Sequence, residues 1–404
     1  MNRVLPLFGI ALLALTSCAK KDELAAGPDF PKKLQEALIT AKPGAVIQIP
    51  EGRFDLDREL SLTTDSVTIR GQGMDKTVLS FKNQKSGSAG LLATGNAFTI
   101  EDMTIEDTKG DALKINGANG VTIRKVKTQW TGGPKETNGS YGIYPVQCKN
   151  VLIEDSVAIG ASDAGIYVGQ SRQIIVRRNR AEFNVAGIEI ENSINADVEN
   201  NTATNNTGGL LVFNLPDLPV QGGSFTRVFD NQVFANNTDN FAPKGNIVAK
   251  VPTGTGIMVM STHDIEIFKN NLKDNETSNV SLVSYLTTGN PLKDPKYDPF
   301  VESIWIHDNS ITGGGHKPAG RAADLAQVLG SPVPSIIYDG VMRPKSTDAK
   351  ICISHNGDAT FVDYDAAGGF KHPKHDIASH ACELHALEAV KIDNAKAGQP
   401  TAKM

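Results

Sequence analysis

Short stretches of alternating apolar and polar residues recur along residues 44–315 at a nearly constant spacing. The first inward residue of each alternating strand is one of these eight: Leu91, Leu113, Ile143, Ile166, Ile188, Leu210, Ile257 and Val280. Their separations are 22, 30, 23, 22, 22, 47 and 23 residues, and a second short strand follows each of them. Only one second strand, ending at Val228, lies inside the interval of 47 residues. We therefore interpret that interval as one coil with two insertions.

A repeat of about 22 residues, built from short strands and Asn/Gly corners, is typical of a right-handed parallel β-helix. Each coil of such a solenoid buries its inward side chains against the coils above and below. We predict an all-β, single-stranded right-handed parallel β-helix of roughly ten coils over residues 44–315. Residues 30–44 have the pattern of a short amphipathic helix, which predicts an N-terminal cap and a solenoid with cap over 30–315. The coil pattern is lost in residues 316–404, for which we predict an irregular C-terminal segment that packs on or caps the solenoid.

Many asparagines occupy one corner of the predicted coils. Five of them stand three residues after a second strand: Asn179, Asn201, Asn231, Asn270 and Asn309. Asn tolerates left-handed backbone, and its amide can bond to the Asn one coil away. The pattern predicts a stacked asparagine ladder with left-handed backbone at these positions.

The charge balance limits the partners of the chain. The 404 residues have a formal net charge of −5 and only 6% aromatic residues. Without a basic surface the chain cannot neutralise a phosphate backbone. Nucleic acid is therefore excluded as an expected partner.

The N-terminus has the features of an export signal. An apolar stretch of twelve residues, 4–15, follows Arg3 and is too short to span a bilayer. The following "LTSC" resembles the lipobox of a bacterial lipoprotein, with Cys18 as the lipidated residue. This implies a signal peptide over 1–17, a tether over 18–29, and a lipid-anchored protein of the cell envelope, in the outer membrane facing the periplasm or the cell surface. The alternative is a plain secretory signal with a chance cysteine.

Four stretches carry a resemblance to a known family: 162–171, 185–198, 208–219 and 351–357. In these stretches the chain resembles the pectin-lyase-like β-helix superfamily, and within it the exported bacterial parallel β-helix repeat proteins. The superfamily includes lyases, epimerases, hydrolases and binding proteins. Some members of the narrower group are encoded beside a haem-type exported protein, which implies an accessory role as one alternative.

Alternation on the first strands predicts two outward columns on one face of the solenoid. One column contains Lys114, Tyr144, Tyr167, Glu189, Leu211 and Met258. The other contains Asn116, Val146, Gly169, Glu191, Phe213 and Met260. The later side chains are apolar and should not stay in contact with water. We expect the insertions 214–224 and 238–254, or the C-terminal segment, to cover them and to wall one side of a groove.

Glu189 and Glu191 are the most distinctive pair in this groove. Carboxylates two residues apart on one strand lie about 7 Å from one another, close enough to share a hard cation. Three amides that recur at one corner would complete the oxygen ligands: Gln170, Asn192 and Asn214. We predict Ca²⁺ at this pair, where it would hold the carboxylate of a uronic acid sugar. The alternative is a solvated charge pair, or a pair bonded to Arg172 and Arg177.

Candidates for acid–base chemistry on the central coils are few. All eight histidines lie at position 263 or beyond. The remaining candidates are Lys114, Tyr141, Tyr144 and Tyr167. Alginate epimerases of this fold carry an Asp-Pro-His-Asp motif, and the stretch "YPVQ" at 144–147 matches it only at the proline. The alternative role of Tyr144 and Tyr167 is to bind substrate by stacking on a sugar, with Gln170, Asn192 and Asn214 as further binding residues.

The C-terminal segment contains a cysteine pair. In an exported chain Cys352 and Cys382 are expected to form a disulfide. A metal site with His355 and His380 is the alternative.

Together these patterns predict an exported envelope lipoprotein whose β-helix groove binds an acidic polysaccharide or another envelope glycan. Two alternatives stay open. The first is an enzyme of the polysaccharide lyase or epimerase type that processes the same polymer. The second is an accessory protein for an exported haem or metal redox partner.

Overall fold

The computed structural model describes residues 24–393, and these residues form a right-handed parallel β-helix. The predicted signal peptide and Cys18 lie outside the described residues. No helix among residues 24–393 is both long and apolar enough to cross a bilayer.

The described part of the chain contains two α-helices, α1 Phe30–Thr40 and α2 Arg321–Leu329, and three 3₁₀ turns at Ile247–Lys250, Tyr285–Thr288 and Ile377–His380. The strands in chain order are β1 Val46–Gln48, β2 Gly52–Asp55, β3 Arg58–Leu62, β4 Thr68–Arg70, β5 Thr77–Ser80, β6 Ser86–Ala93, β7 Phe98–Glu106, β8 Asp111–Asn116, β9 Asn119–Gln129, β10 Tyr141–Val146, β11 Lys149–Glu154, β12 Val157–Ile159, β13 Ala164–Gly169, β14 Arg172–Arg177, β15 Arg180–Glu182, β16 Ala186–Glu191, β17 Ile194–Glu199, β18 Thr202–Thr204, β19 Gly208–Phe213, β20 Ser224–Phe229, β21 Gln232–Phe234, β22 Thr255–Met260, β23 His263–Phe268, β24 Asn271–Lys273, β25 Ser278–Val283, β26 Glu302–His307, β27 Ser310–Thr312, β28 Ile336–Tyr338, β29 Ile351–Ser354 and β30 Phe361–Asp363.

Strands of successive coils pair in parallel and form two sheets. The 11-stranded sheet has the order β3-β6-β8-β10-β13-β16-β19-β22-β25-β28-β30, and the other strands form a 19-stranded sheet. In the 11-stranded sheet Ile166 pairs with Ile143 on one side and with Ile188 on the other. The predicted inward column is therefore confirmed. These side chains are buried in one continuous apolar core that follows the solenoid axis.

The N-terminal cap is confirmed. Helix α1 buries Phe30, Leu34 and Leu38, which are spaced four residues apart and therefore share one face. The ring of Phe30 stacks on that of Phe54 with 3.7 Å between centroids. The apolar face of α1 thus closes the first coil and shields its core from water.

The asparagine ladder is confirmed, and it extends one step further to Asn356. The backbone N–H of Asn179 donates to Asn201 Oδ1 at 2.9 Å, and the same bond recurs along the ladder up to Asn356. A second ladder, which the sequence analysis missed, connects Asn184, Asn206, Asn236 and Asn275 in the same way.

The predicted left-handed backbone of the ladder asparagines is wrong by one residue. The left-handed conformation falls on the preceding residue, as at Arg178, Asn200 and Asp230, each with φ 54°. These residues are exposed, whereas Asn201 is fully buried and donates to the carbonyl of Val176. The turn of the chain and the inward amide thus belong to adjacent residues.

The predicted end of the solenoid at residue 315 is also wrong. Strands β28 and β30 continue the 11-stranded sheet, and β29 pairs with β26 in the 19-stranded sheet. Helix α2 lies in the connection that leads to β28. The 11 strands of the shorter sheet also exceed the roughly ten coils that were predicted.

Residues 382–393 form an extended segment, here called the C-terminal strap, along the outside of the 19-stranded sheet. A disulfide joins Cys352 on β29 to Cys382 at the start of the strap. Further along, the N–H of Leu387 donates to Glu266 Oε2 at 2.9 Å and that of Val390 to Asp197 Oδ2 at 3.1 Å. Buried side-chain carboxylates therefore accept the backbone hydrogen bonds of the strap, as the carbonyls of a neighbouring strand would in a sheet.

Candidate functional site

The outer face of the 11-stranded sheet has the two columns that the alternation predicts. Tyr167 pairs with Glu189, and Gly169 pairs with Glu191. On the next strand Leu211 and Phe213 follow the two glutamates. The face is thus acidic and aromatic on the central coils and apolar on the later ones.

Two segments cover the apolar part of this face. Val248 and Val251 of the insertion 238–254 pack against the outward side chains and are 1% and 5% exposed. This confirms the predicted cover. A second covering segment, 284–301, adds Tyr285 and Tyr297 and was not foreseen. Because both segments lie on the face, it is not an open groove along its whole length.

Eight polar side chains meet at the edge of this cover, and we call them the tyrosine–carboxyl cluster: Asp111, Lys114, Tyr141, Tyr144, Asp163, Tyr167, Glu189 and Glu191. The ring of Tyr141 lies 4.3 Å from that of Tyr144 and 4.7 Å from that of Tyr167, between centroids. Lys114 Nζ lies 4.7 Å from the centre of the Tyr144 ring and 3.6 Å from Asp111 Oδ2. The structure thus brings together the four predicted acid–base candidates and the two glutamates.

A hydrogen bond connects the tyrosines to the glutamates. The hydroxyl of Tyr167 donates to Glu191 Oε1 at 2.6 Å. Its ring lies across Gly169, where a Cβ atom would be 2.1 Å from the Tyr167 hydroxyl oxygen. Any larger residue at 169 would displace the ring, so this glycine makes the bond to Glu191 possible.

Glu189 is buried, and no hydrogen bond within the described residues compensates for the loss of its water. Its side chain is 1% exposed, and neither carboxyl oxygen has a hydrogen-bond partner among residues 24–393. Burial, and then the charges of Glu191 and Asp163, raise the pKa of Glu189 well above its ordinary value. The hypothesis of a solvated pair is therefore wrong, because Glu189 and Glu191 are both buried. The hypothesis of a pairing with Arg177 is wrong as well, because that guanidinium binds Glu154 at 2.7 Å.

Glu191 is also buried, at 6% exposed. Burial raises the pKa of Glu191 to about 7, although the hydrogen bond from Tyr167 opposes the shift. Near neutral pH the two glutamates therefore hold protons that ordinary surface carboxylates would have released.

Two further carboxyl groups belong to the cluster and were missed in the sequence. Burial, and then the charge of Glu191, raise the pKa of Asp163 to about 7, while Asn246 of the covering segment donates to Asp163 Oδ2 at 3.0 Å. Burial raises the pKa of Asp111 to about 6, and the nearby Lys114 opposes the shift. The strand register could have found Asp163, because Ala164, the next residue, pairs with Tyr141.

The tyrosines are poor bases. Burial raises the pKa of Tyr141, Tyr144 and Tyr167 above the ordinary value, and nearby carboxylates raise it further. A tyrosinate at any of these positions would be costly. The arrangement disfavours the base role considered for the tyrosines and favours a role in stacking and hydrogen bonding.

The three corner amides hold the insertion 214–224. Asn192 Oδ1 accepts from the N–H of Leu215 at 2.7 Å, and Gln170 Oε1 accepts from that of Val220 at 3.2 Å. Asn214 Oδ1 accepts from the N–H of Gly222 at 3.1 Å. These oxygens already have partners, and a Ca²⁺ ion would compete with the insertion for them.

Within residues 24–393 no group of three or more His, Cys, Asp or Glu side chains is arranged to hold a metal ion. Calcium at Glu189 and Glu191 stays a prediction. Its carboxylate ligands would first have to lose their protons.

Comparison with known proteins agrees with this architecture. Residues 66–225 match the family model described as "Right handed beta helix region". No curated protein matches the chain. Among solved structures, the chain is similar to the A-module of the mannuronan C-5 epimerase AlgE4 of Azotobacter vinelandii, with a TM-score of 0.52, 17% identity, and coverage of 83% of this chain and 92% of that one.

It is also similar to the catalytic unit of a GH87 alpha-1,3-glucanase of Streptomyces thermodiastaticus. The TM-score is 0.51 at 14% identity, over 83% of this chain and 66% of that one. At 17% and 14% identity these two similarities are evidence for the fold alone. The class of fold is therefore the right-handed parallel β-helix.

Proposed function

We propose that the chain binds a glycan along the outer face of the 11-stranded sheet and hydrolyses it with carboxyl groups of the tyrosine–carboxyl cluster. The observation that carries the proposal is Glu189, a buried carboxyl group that has no hydrogen-bond partner among the described residues. Burying such a group costs several kcal/mol unless it is paired or protonated. The next coil has Leu211 at the same position, so the fold itself does not need an acid there.

The pKa values fit acid–base chemistry. Hydrolysis of a glycosidic bond needs one protonated and one ionised carboxyl group. Asp163, with a pKa of about 7, fits the acid, and Glu191 is one cause of its raised pKa. Asp111, with a pKa of about 6 and Lys114 at 3.6 Å, fits the ionised partner. Glu191, which is partly ionised near its pKa of about 7, adds its negative charge to the burial that keeps the proton on Asp163.

The surroundings indicate the kind of glycan. Tyr144, partly exposed, offers an aromatic ring on which a sugar can stack. Lys114 is the only cation of the cluster, so a polymer with a carboxylate on every sugar would meet mostly acidic groups. We therefore propose an uncharged glycan as substrate. A uronate polymer is the second candidate, favoured by the Lys114 ammonium, which could receive one sugar carboxylate.

The fold likeness supports a glycan in general, because the two similar proteins are named as an epimerase of mannuronan and as a glucanase. A lyase or epimerase mechanism fits the cluster less well. It needs a base near the sugar and a cation that stabilises the enolate, whereas the tyrosines have raised pKa values. The predicted accessory role beside a haem-type protein gains no support from residues 24–393.

The experiment uses the chain from residue 19 onward and a panel of neutral glucans and polyuronates. We expect new reducing ends from a neutral glycan, and a loss of about 10²-fold or more in Asp163→Asn. The matched control is Asp217→Asn, an exposed acid on the insertion 214–224. Unsaturated products from a polyuronate would instead identify a lyase. Full activity of Asp163→Asn, or no cleavage of any glycan, would refute hydrolysis by this cluster.

Export and lipidation at Cys18 belong to the same proposal. The disulfide between Cys352 and Cys382 supports an oxidising compartment. Metabolic labelling with palmitate should mark the intact chain and fail in Cys18→Ser. Labelling of that variant would show that the anchor is elsewhere.

A further inference from the structure

The covered face contains a cavity of about 310 Å³ beyond the acidic coils. Its wall includes Phe213, Met258, Met260 and Val283 from the sheet. Val251 of the insertion 238–254 lines it from the opposite side. The cavity is therefore lined mainly by apolar side chains from segments that are distant in sequence.

Two cations line the edge of this cavity. Lys250, in the covering segment, and Arg321, at the start of α2, are exposed. Neither forms a salt bridge within residues 24–393. Lys250 Nζ instead donates to the carbonyl of Thr288 and to Asn290 Oδ1, each at 2.6 Å. The edge is thus positive while the wall is mainly apolar.

The volume of the cavity and the chemistry of its lining together indicate the kind of ligand it could bind. The volume lies within the range of small-molecule sites, about 300–1,000 Å³. It has room for about ten groups of the size of a water molecule, but an apolar wall does not hold water well. An apolar chain would fill the wall, and an anionic group at one end would meet Lys250 and Arg321.

We propose that this cavity binds an anionic amphiphile with a single acidic headgroup and an apolar chain of about ten carbon atoms, by the volume estimate above. The chain lies against Met258, Met260 and Val283, and the headgroup lies at the edge beside Arg321. This site does not depend on the tyrosine–carboxyl cluster and needs no catalysis.

The test is calorimetric titration of the chain from residue 19 onward with decanoate, decyl sulfate, decan-1-ol and decyltrimethylammonium, each below its micelle concentration. We expect decanoate to bind at least tenfold more tightly than the alcohol, and the cation to bind weakest. Decyl sulfate distinguishes a carboxylate site from a site for any anion: equal binding of both anions identifies a general anionic headgroup. Equal binding of anion, alcohol and cation, or no binding at all, overturns the proposal.

Variants locate the site. Arg321→Gln should weaken decanoate binding about tenfold and leave the alcohol unchanged, whereas Lys82→Gln, an exposed cation on another coil, should change neither. Ser281→Leu places a larger side chain in the cavity wall and should abolish binding of both ligands. Met258→Trp serves the same purpose at a second position if Ser281→Leu fails to fold. Unchanged binding in a folded cavity-filling variant would show that the ligand binds elsewhere.

Discussion

Tyr167 and Glu191 lie on adjacent coils and form one hydrogen bond of 2.6 Å, from the phenol hydroxyl to Glu191 Oε1. Gly169 pairs with Glu191 across the two strands and leaves the space that the tyrosine ring occupies. The bond holds the Glu191 carboxyl and favours its ionised form, against the effect of burial. It therefore sets how readily this part of the tyrosine–carboxyl cluster takes up a proton.

Removing the Tyr167 hydroxyl should raise the pKa of Glu191. In Tyr167→Phe the ring still fills its place, but the charge-assisted bond is lost. We expect the apparent pKa of Glu191 to rise above about 7, followed by NMR of the carboxyl carbon in protein labelled at glutamate. Tyr285→Phe, in the apolar cover, is the control and should cause no shift. An unchanged pKa in Tyr167→Phe would show that burial alone sets it.

Replacing Glu189 by an apolar residue should stabilise the fold. Glu189→Leu copies the residue at the same position of the next coil, Leu211, and removes a buried acid that has no partner among residues 24–393. We expect a gain of about 1–3 kcal/mol in the free energy of unfolding at pH 8, measured with urea. A loss of stability would mean that the carboxyl group contributes to packing.

Stability should fall as the pH rises from 5 to 8. Asp163 and Glu191 have folded-state pKa values of about 7, above their ordinary values of 3.8 and 4.5. The folded state therefore binds more protons in this range, so the stabilisation is complete below about pH 4 and is lost as the pH passes about 7. The slope is about 1.4 kcal/mol per pH unit for each proton. Urea midpoints measured between pH 5 and pH 8 should show this fall in stability. In the double variant Asp163→Asn with Glu191→Gln the dependence on pH should be flatter.

Calcium should act only where the glutamates are ionised. Binding to Glu189 and Glu191 must displace their protons, so calcium should raise the melting temperature more at pH 9 than at pH 6. The shift should vanish in Glu189→Gln with Glu191→Gln. Magnesium at the same concentration controls for ionic strength. If calcium has no effect at either pH, the predicted calcium site does not exist.

The disulfide should stabilise the last coil and the C-terminal strap. Cys352 and Cys382 are 30 residues apart, and by the entropy of loop closure their bond contributes about 3–4 kcal/mol. Replacing both with alanine should lower the unfolding free energy by about that amount. Thiol labelling of unreduced, unfolded protein should find Cys148 free, and neither Cys352 nor Cys382. Two additional labelled thiols that zinc protects would instead indicate a metal site.

The alternation and the coil length sufficed to predict the fold. The pairing of Ile143, Ile166 and Ile188 follows from a two-residue period and a nearly constant coil, which are local properties of the chain. The outward position of Glu189 and the stacking of Asn179 on Asn201 follow for the same reason. A solenoid turns local periodicity directly into contacts between neighbouring coils.

The end of the solenoid could not be predicted from alternation and coil length. Strands β28, β29 and β30 are short and unevenly spaced, so no period marks them. Only their pairing with neighbouring coils assigns them to the sheets. The left-handed conformation was predicted at Asn201 but lies at Asn200, for a related reason. Sequence identifies an asparagine corner, but the burial of Asn201 decides which residue turns the chain.

The character of the site was decided by tertiary structure alone. The sequence determined that Glu189 and Glu191 point outward, and an outward carboxylate in water would be an ordinary charge. In the folded chain both glutamates are buried, and the segments 238–254 and 284–301 pack on the same face although much of each lies more than fifty residues away along the chain. Burial and mutual repulsion then raise the pKa values, and both depend on distances through space that no local pattern records.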